Sequence, residues 1–269
     1  MLPDFALVRP ATLEEALGLI GEDALPYVGG TELLIAMKGR LLQPGTLVDL
    51  KHIEALREIR TEAGCLVIGA ASTHDAVTRS DLVREHAPLL VEVEPTVGNP
   101  RVRSTGSLGG NLCFAEPKSD VLTALMALEA SVTLVSLSGS REVAVAEFQR
   151  GPYWTVCEQD ELMTEIRIPR LPGRRGVYEK FQTRERPSVA VALLADPDGG
   201  TCQVVVGAVG DVPVALEFAS LATVDPAAVA NAVDPVPDLT ESAEYKRHVT
   251  AVMVTRARER LEEALAGAE

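Results

Sequence analysis

A chain of 269 residues has room for one large domain or two modest ones with a sizeable core. Hydrophobic residues make up 46% and charged residues 24%, as in ordinary globular proteins, while aromatics at 4% require an aliphatic core of Val, Leu, Ile and Ala. A formal charge of −14 disfavours nucleic acid as a partner, no apolar run approaches the roughly 20 residues of a membrane span, and Met1-Leu2-Pro3-Asp4-Phe5 lacks a secretory leader's basic, apolar start, so a cytoplasmic location is expected.

Thr12-Leu13-Glu14-Glu15 has the pattern of a capping box opening a helix, with Ala16, Leu17 and Ile20 as its apolar face. A short apolar piece, Pro26-Tyr27-Val28, is broken at once by Gly29-Gly30, and a compact run covers 31–37. Leu47-Val48-Asp49-Leu50 and Leu66-Val67-Ile68-Gly69-Ala70 have the character of buried strands, the second entered through a turn at Glu62-Ala63-Gly64. The pattern predicts a helix over 81–93, a Gly-rich interruption over 105–111 and a second helix over 121–128. Strands are expected over 130–137 and 141–145 around a turn at Ser138-Gly139-Ser140. The register changes at Pro169-Arg170-Leu171-Pro172-Gly173, taken as a domain boundary. Beyond it strands are expected over 176–182, 189–195 and 202–208, with a hairpin turn at Asp196-Pro197-Asp198-Gly199-Gly200. A long amphipathic helix closes the chain, with Tyr245, Val249, Val252, Leu261 and Leu265 at helical spacing. Strands and helices mix without βαβ alternation, so the class expected is α+β.

Four widely spaced cysteines, Cys65, Cys113, Cys157 and Cys202, form no CxxC or other close pair, and read as buried free thiols rather than metal ligands. Two glycine turns carry more chemistry. Val28-Gly29-Gly30-Thr31-Glu32-Leu33 follows a strand and opens a helical run. Thr105-Gly106-Ser107-Leu108-Gly109-Gly110-Asn111 also precedes a helix. Glycines let backbone N–H groups converge on one concavity, and a helix start adds its dipole, so a phosphate is a natural guest. Two such turns suit the two phosphates of a dinucleotide, although Gly-Gly turns are common and each alone reads more readily as an ordinary tight turn. The absence of GxGxxG, GxxxxGK[ST] and GxSxG disfavours a Rossmann site, a nucleotide triphosphatase and a serine hydrolase.

Six collinear motifs extend across nearly the whole chain. They are the two glycine segments, the first as 28–33 and the second extended to Val102-Arg103-Ser104-Thr105-Gly106-Ser107-Leu108-Gly109-Gly110-Asn111-Leu112; Asp120; Asp160-Glu161-Leu162-Met163-Thr164-Glu165-Ile166-Arg167-Ile168-Pro169; Tyr178-Glu179-Lys180-Phe181-Gln182-Thr183-Arg184; and Ser242-Ala243-Glu244-Tyr245-Lys246-Arg247-His248. Together they resemble the FAD-binding medium subunit of the carbon monoxide dehydrogenase and xanthine dehydrogenase family of molybdenum hydroxylases. The resemblance implies an FAD-binding domain of the PCMH type over 1–171, with subdomains at about 1–55 and 56–171. It implies a C-terminal domain over 172–269 with a small antiparallel sheet and helices.

It also implies roles. Gly29, Gly30 and Thr31, flanked by Val28, Glu32 and Leu33, would donate to one phosphate region of FAD. Ser107, Gly109 and Gly110, beside Leu108, would donate to the other, with Asn111 adding a side-chain contact. Asp120 would accept from ribose or ribityl hydroxyls, its other reading being the N-cap of the following helix. Met163 would border the flavin or adenine unless it is core, and Lys180 would lie near the flavin unless it is an exposed strand lysine. Tyr178 is a candidate for the flavin face, and His74 reads as a packed or capping histidine. Glu185-Arg186-Pro187-Ser188 departs from the family pattern at the outer wall of the flavin pocket, and Gly98-Asn99-Pro100 is a further departure.

The function implied is electron transfer. A partner large subunit would carry a molybdenum-pterin cofactor and a small subunit [2Fe–2S] clusters, in a dimer of heterotrimers. FAD on this chain would pass electrons to an external acceptor, and no residue here would act as a catalytic acid or base. A stand-alone FAD oxidoreductase and a non-catalytic phosphate-binding scaffold are the alternatives.

Overall fold

The computed structural model describes residues 1–267, and its class is α+β. Five elements open the chain: β1 (Ala6–Val8), α1 (Leu13–Leu17), β2 (Ala24–Tyr27), α2 (Leu33–Lys38) and β3 (Thr46–Asp49). The strands form a parallel sheet in the order β1-β3-β2, so Val48 on the central strand is fully buried beside Ala16, Leu17 and Leu50. Thr12 caps α1 by accepting from the Glu15 N–H at 3.1 Å. The reciprocal bond of the expected box goes one residue further out, with Glu15 Oε2 accepting from the Ala11 N–H at 2.7 Å.

The next portion is an antiparallel sheet with helices on it. Its elements are β4 (Ile59–Glu62), β5 (Cys65–Gly69), α3 (His74–Arg79), α4 (Asp81–His86), α5 (Pro88–Val93), α6 (Pro100–Thr105), α7 (Leu108–Phe114), α8 (Asp120–Ala127), β6 (Ser131–Ser136), β7 (Gly139–Ala144), α9 (Val145–Phe148), β8 (Gln149–Gly151), β9 (Trp154–Thr155) and β10 (Leu162–Pro169). The sheet order is β4-β5-β10-β6-β7, while β8 and β9 pair separately. The single helix expected over 81–93 is two. Ala87 leaves the helical region (φ −139°, ψ 60°) because Pro88 crowds the residue before it and offers no N–H to continue the ladder.

The Gly-rich interruption is likewise mostly helix, with α6 ending at Thr105 and α7 beginning at Leu108. The unusual Gly98-Asn99-Pro100 is a helix start. Asn99 Oδ1 accepts from the Arg101 and Val102 N–H groups, and Pro100 takes the first helical position.

The chain leaves the second sheet at Pro169 and enters a third, the antiparallel meander β11 (Arg175–Phe181), β12 (Val189–Ala195), β13 (Cys202–Gly207) and β14 (Val214–Phe218), followed by α10 (Pro226–Ala232) and α11 (Ala243–Ala266). All seven residues of β12 are buried. One face of this sheet, with Tyr178, Ala190, Ala192 and Val205, joins the core containing α8. The other, with Val177, Val191, Leu193 and Val204, packs under α10 and α11. Coverage on both faces is why β12 is an unbroken apolar run. On α11 the buried stripe is Lys246, Val249, Thr250, Met253, Val254, Ala257 and Leu261, whereas Tyr245 is half exposed against Phe181. Among the described residues, no helix is long and apolar enough to cross a membrane.

Candidate cofactor site

The two glycine segments meet. A Cβ on Gly29 would collide with the Thr105 carbonyl and the Gly106 Cα, so the first loop lies directly on the backbone of the second, an approach closed to any other residue. Gly30 follows at φ +64°, turning the chain into α2. Thr31 Oγ1 lies beside Gly106. Val28 packs against the first core with Ala16 and Val48, while Glu32 starts α2 with no side-chain cap. Among the described residues, the N–H groups of Gly29, Gly30, Thr31, Glu32 and Leu33 find no hydrogen-bond acceptor. Five adjacent free donors at an uncapped helix start make a cradle suited to a phosphate.

The second segment is built differently, and this corrects the expectation that its glycines donate. The Leu108 N–H donates to Ser72 O (3.0 Å), Gly109 to Ala70 O (2.9 Å), Gly110 to Ser107 Oγ (3.1 Å) and Asn111 to Ser107 O (3.0 Å). Ser107 is the N-cap of α7, so its hydroxyl is already an acceptor. Leu108 is fully buried core. Gly109 is a glycine because a Cβ there would strike Ala70. The segment supplies a wall on which the first loop rests; two of its N–H groups hold that wall to the residues just past β5, and two close the first turn of α7 on Ser107. Asn111 Oδ1 accepts from the Ser119 hydroxyl at 2.6 Å, which leaves the amide nitrogen of Asn111 as the group it has to offer.

Behind the wall His74 and Glu94 form a buried pair, with His74 Nδ1 2.6 Å from Glu94 Oε2. The His74 N–H donates to Gly106 O (3.2 Å), so this histidine is packed against the loop junction, and the capping role falls to Thr73.

Asp120 is the first residue of α8 rather than its N-cap; Ser119 is the cap, accepting from the Leu122 N–H. The carboxylate of Asp120 reaches β11, where Tyr178 Oη donates to Oδ1 at 2.6 Å and Lys180 Nζ to Oδ2 at 3.1 Å. Burial raises the Asp120 carboxyl above its ordinary range, opposed first by the charge on Lys180 and then by the Tyr178 hydroxyl. Burial beside that carboxylate pushes the Tyr178 phenol well up, so it stays a donor. Lys180 also donates to Thr96 O at 3.2 Å and is therefore anchored rather than a free strand lysine. Tyr178 is part of the buried core, with its hydroxyl spent on Asp120. Met163 is buried opposite Leu134, just before a register shift in β10.

Arg186, in the stretch flagged as a departure, reaches across to the first glycine loop at Glu32. Its role escaped the sequence because nothing local marks which carboxylates it meets. The thiols also correct an expectation: Cys202 is buried, Cys65 and Cys157 are half-buried and Cys113 is exposed.

A cradle of free donors, a glycine seam and a hydrogen-bonded carboxylate, on an α+β scaffold, are features suited to a nucleotide cofactor. Residues 3–171 match the family described as the FAD binding domain in molybdopterin dehydrogenase, and the chain belongs to that family. It is an FAD-binding oxidoreductase subunit of the medium type. It is 34% identical to the carbon monoxide dehydrogenase medium chain of Afipia carboxidovorans, with 97% of this chain and 98% of that one covered. It is 31% identical to the glyceraldehyde dehydrogenase medium chain of Sulfolobus acidocaldarius, covering 95% and 97%. A structure of reconstituted CO dehydrogenase from Oligotropha carboxidovorans superposes with a TM-score of 0.90 at 32% identity, covering 97% of this chain and 98% of that one.

Proposed function

We propose that this chain is the electron-transferring FAD subunit of a heterotrimeric molybdenum hydroxylase. It passes electrons from [2Fe–2S] clusters on a small partner subunit to an external acceptor, while a large partner subunit with a molybdenum-pterin cofactor oxidises the substrate. The observation that carries this reading is the row of free N–H groups over 29–33, seated on the backbone of 105–106. In this reading Gly29, Gly30, Thr31, Glu32 and Leu33 hold the pyrophosphate, Asn111 reaches it from the second segment, and Asp120 takes a cofactor hydroxyl on its remaining lone pairs. Lys180 keeps positive charge beside that carboxylate, and Met163 borders the flavin or adenine. FAD supplies the redox chemistry, and the protein supplies position and electrostatics. We assign 1–171 to the FAD-binding domain, with subdomains at about 1–55 and 56–171, and 172–269 to the C-terminal domain; the complex is a dimer of heterotrimers.

Native affinity purification with an absorption spectrum tests this. A flavin spectrum with iron–sulfur shoulders and two co-purifying chains, one carrying molybdenum, is the expected result. A colourless, solitary chain that does not take up added FAD overturns it.

A further inference from the structure

Resting on the reading of 29–33 as the phosphate-holding loop, we propose that Arg186 is a latch on the FAD cleft, a positioning residue that slows release of the cofactor. Its guanidinium is split between two carboxylates from different parts of the chain. Nη2 lies 2.8 Å from Glu32 Oε1 on the first glycine loop, and Nη1 lies 2.5 Å from Glu116 Oε2, just beyond α7. The Tyr153 hydroxyl donates to the same Glu116 oxygen at 2.8 Å, and the Tyr153 ring packs edge-on against Phe114 of α7 at 5.3 Å. One side chain from the loop joining β11 and β12 therefore ties together the loop that presents the free donors and the helix that walls them.

The chemistry of the three groups explains why an arginine stands there. Glu32 contributes one of the free N–H groups, so its carboxylate lies beside the place proposed for a pyrophosphate. Without a cation, Glu32 and Glu116 would repel both each other and the incoming phosphates. A planar guanidinium serves two carboxylates at once, which a lysine does less well. The latch is also able to open: side-chain exposure is 39% for Arg186, 35% for Glu32 and 14% for Glu116, so water competes for these pairs and each is individually weak. Two weak pairs released together correspond to roughly a tenfold change in the residence time of FAD. Pro187 next in line restricts the backbone of Arg186, which limits the conformations from which its side chain must find the two carboxylates.

The test is the rate of FAD release from the full chain, followed by the fluorescence of freed FAD after dilution, with far-UV circular dichroism to verify the fold. Arg186→Gln is expected to release FAD roughly tenfold faster. Release from the native chain should accelerate with added salt, and that from Arg186→Gln should not. Arg186→Lys should recover part of the slow rate, which a purely structural role would not produce. Equal release rates with equal salt dependence overturn the latch while leaving the flavoprotein reading intact. A native chain that takes up no FAD overturns that reading and the latch with it.

Discussion

The hydroxyl of Tyr178 donates to Asp120 Oδ1 at 2.6 Å, joining the third sheet to the first turn of α8 across 58 residues of sequence, and Lys180 completes the contact from the same face of β11 at 3.1 Å. The arrangement holds a carboxylate in a mostly buried position between the helix and the sheet. Its charge is kept by one cation and one neutral donor, and the site inherits its geometry from that balance.

Lys180→Met removes the cation and leaves Asp120 buried with Tyr178 alone. The expected loss of stability is about 3 kcal/mol at neutral pH, measured by urea unfolding. The pH dependence follows from Asp120 itself. Its folded-state pKa is raised, mainly by burial, so the folded chain holds that proton more tightly than the unfolded one. Ionisation therefore costs stability as pH rises from the unfolded value near about 3.9 through the folded value. Compared with Asp120→Asn, which does not titrate, the native chain should lose relative stability over that rise. A relative gain in the native chain would contradict this assignment.

Gly29→Ala places a methyl group against the Thr105 carbonyl and Gly106. The two segments must separate, at a cost of about 1–3 kcal/mol. Because the donors of 29–33 move with the loop, FAD affinity measured by fluorescence titration should fall at least as far as stability does. Gly64→Ala, in a turn with open space around it, is a control at which FAD affinity should not change.

The His74–Glu94 pair lies behind the loop junction, with Glu94 Oε1 finding no partner among the described residues. His74→Ala strands the carboxylate and should cost about 3 kcal/mol, whereas in a Glu94→Gln background the same change should cost clearly less. A double-mutant cycle with additive effects would show that the pair is not coupled.

Asp238 ties α11 to the second portion of the chain. It accepts from Lys118 Nζ at 2.9 Å, lies 3.0 Å from the buried Lys246 Nζ, and also accepts from the Thr240 and Glu241 N–H groups. The Lys118 ammonium foremost, then the backbone donor at Thr240, holds its carboxyl well below the usual range. A depressed folded pKa gives stability that is present above the unfolded pKa near about 3.9 and is lost as pH falls toward the folded value. Asp238→Asn should cost about 1 kcal/mol at neutral pH. The gap in Tm between it and the native chain should narrow steadily as the pH is taken below about 4.

Local pattern alone determined a good part of this protein. The run 189–195 reads as a strand because β-branched and aliphatic residues follow one another between turn signals, and it is a strand with those bounds. The glycine segments were legible as special backbone, and the collinear motifs pointed to the FAD-binding family. Pro88, by contrast, was a local break signal that the expectation of one helix over 81–93 passed over. Period-two alternation even puts Tyr178 and Lys180 on one face of β11.

What that face meets was decided by tertiary packing alone. Asp120 sits under it because α8 lies across β12 and β13, a matter of how a sheet and a helix dispose of their apolar faces over long sequence separations. The same applies to Gly109, whose N–H looks available in sequence and is bonded in the fold to the Ala70 carbonyl just past β5. It applies again to Arg186, whose partners Glu32 and Glu116 come from distant segments. Hydrophobic periodicity is written into neighbouring residues, whereas a hydrogen bond or ion pair between distant segments exists only once burial has fixed their relative position.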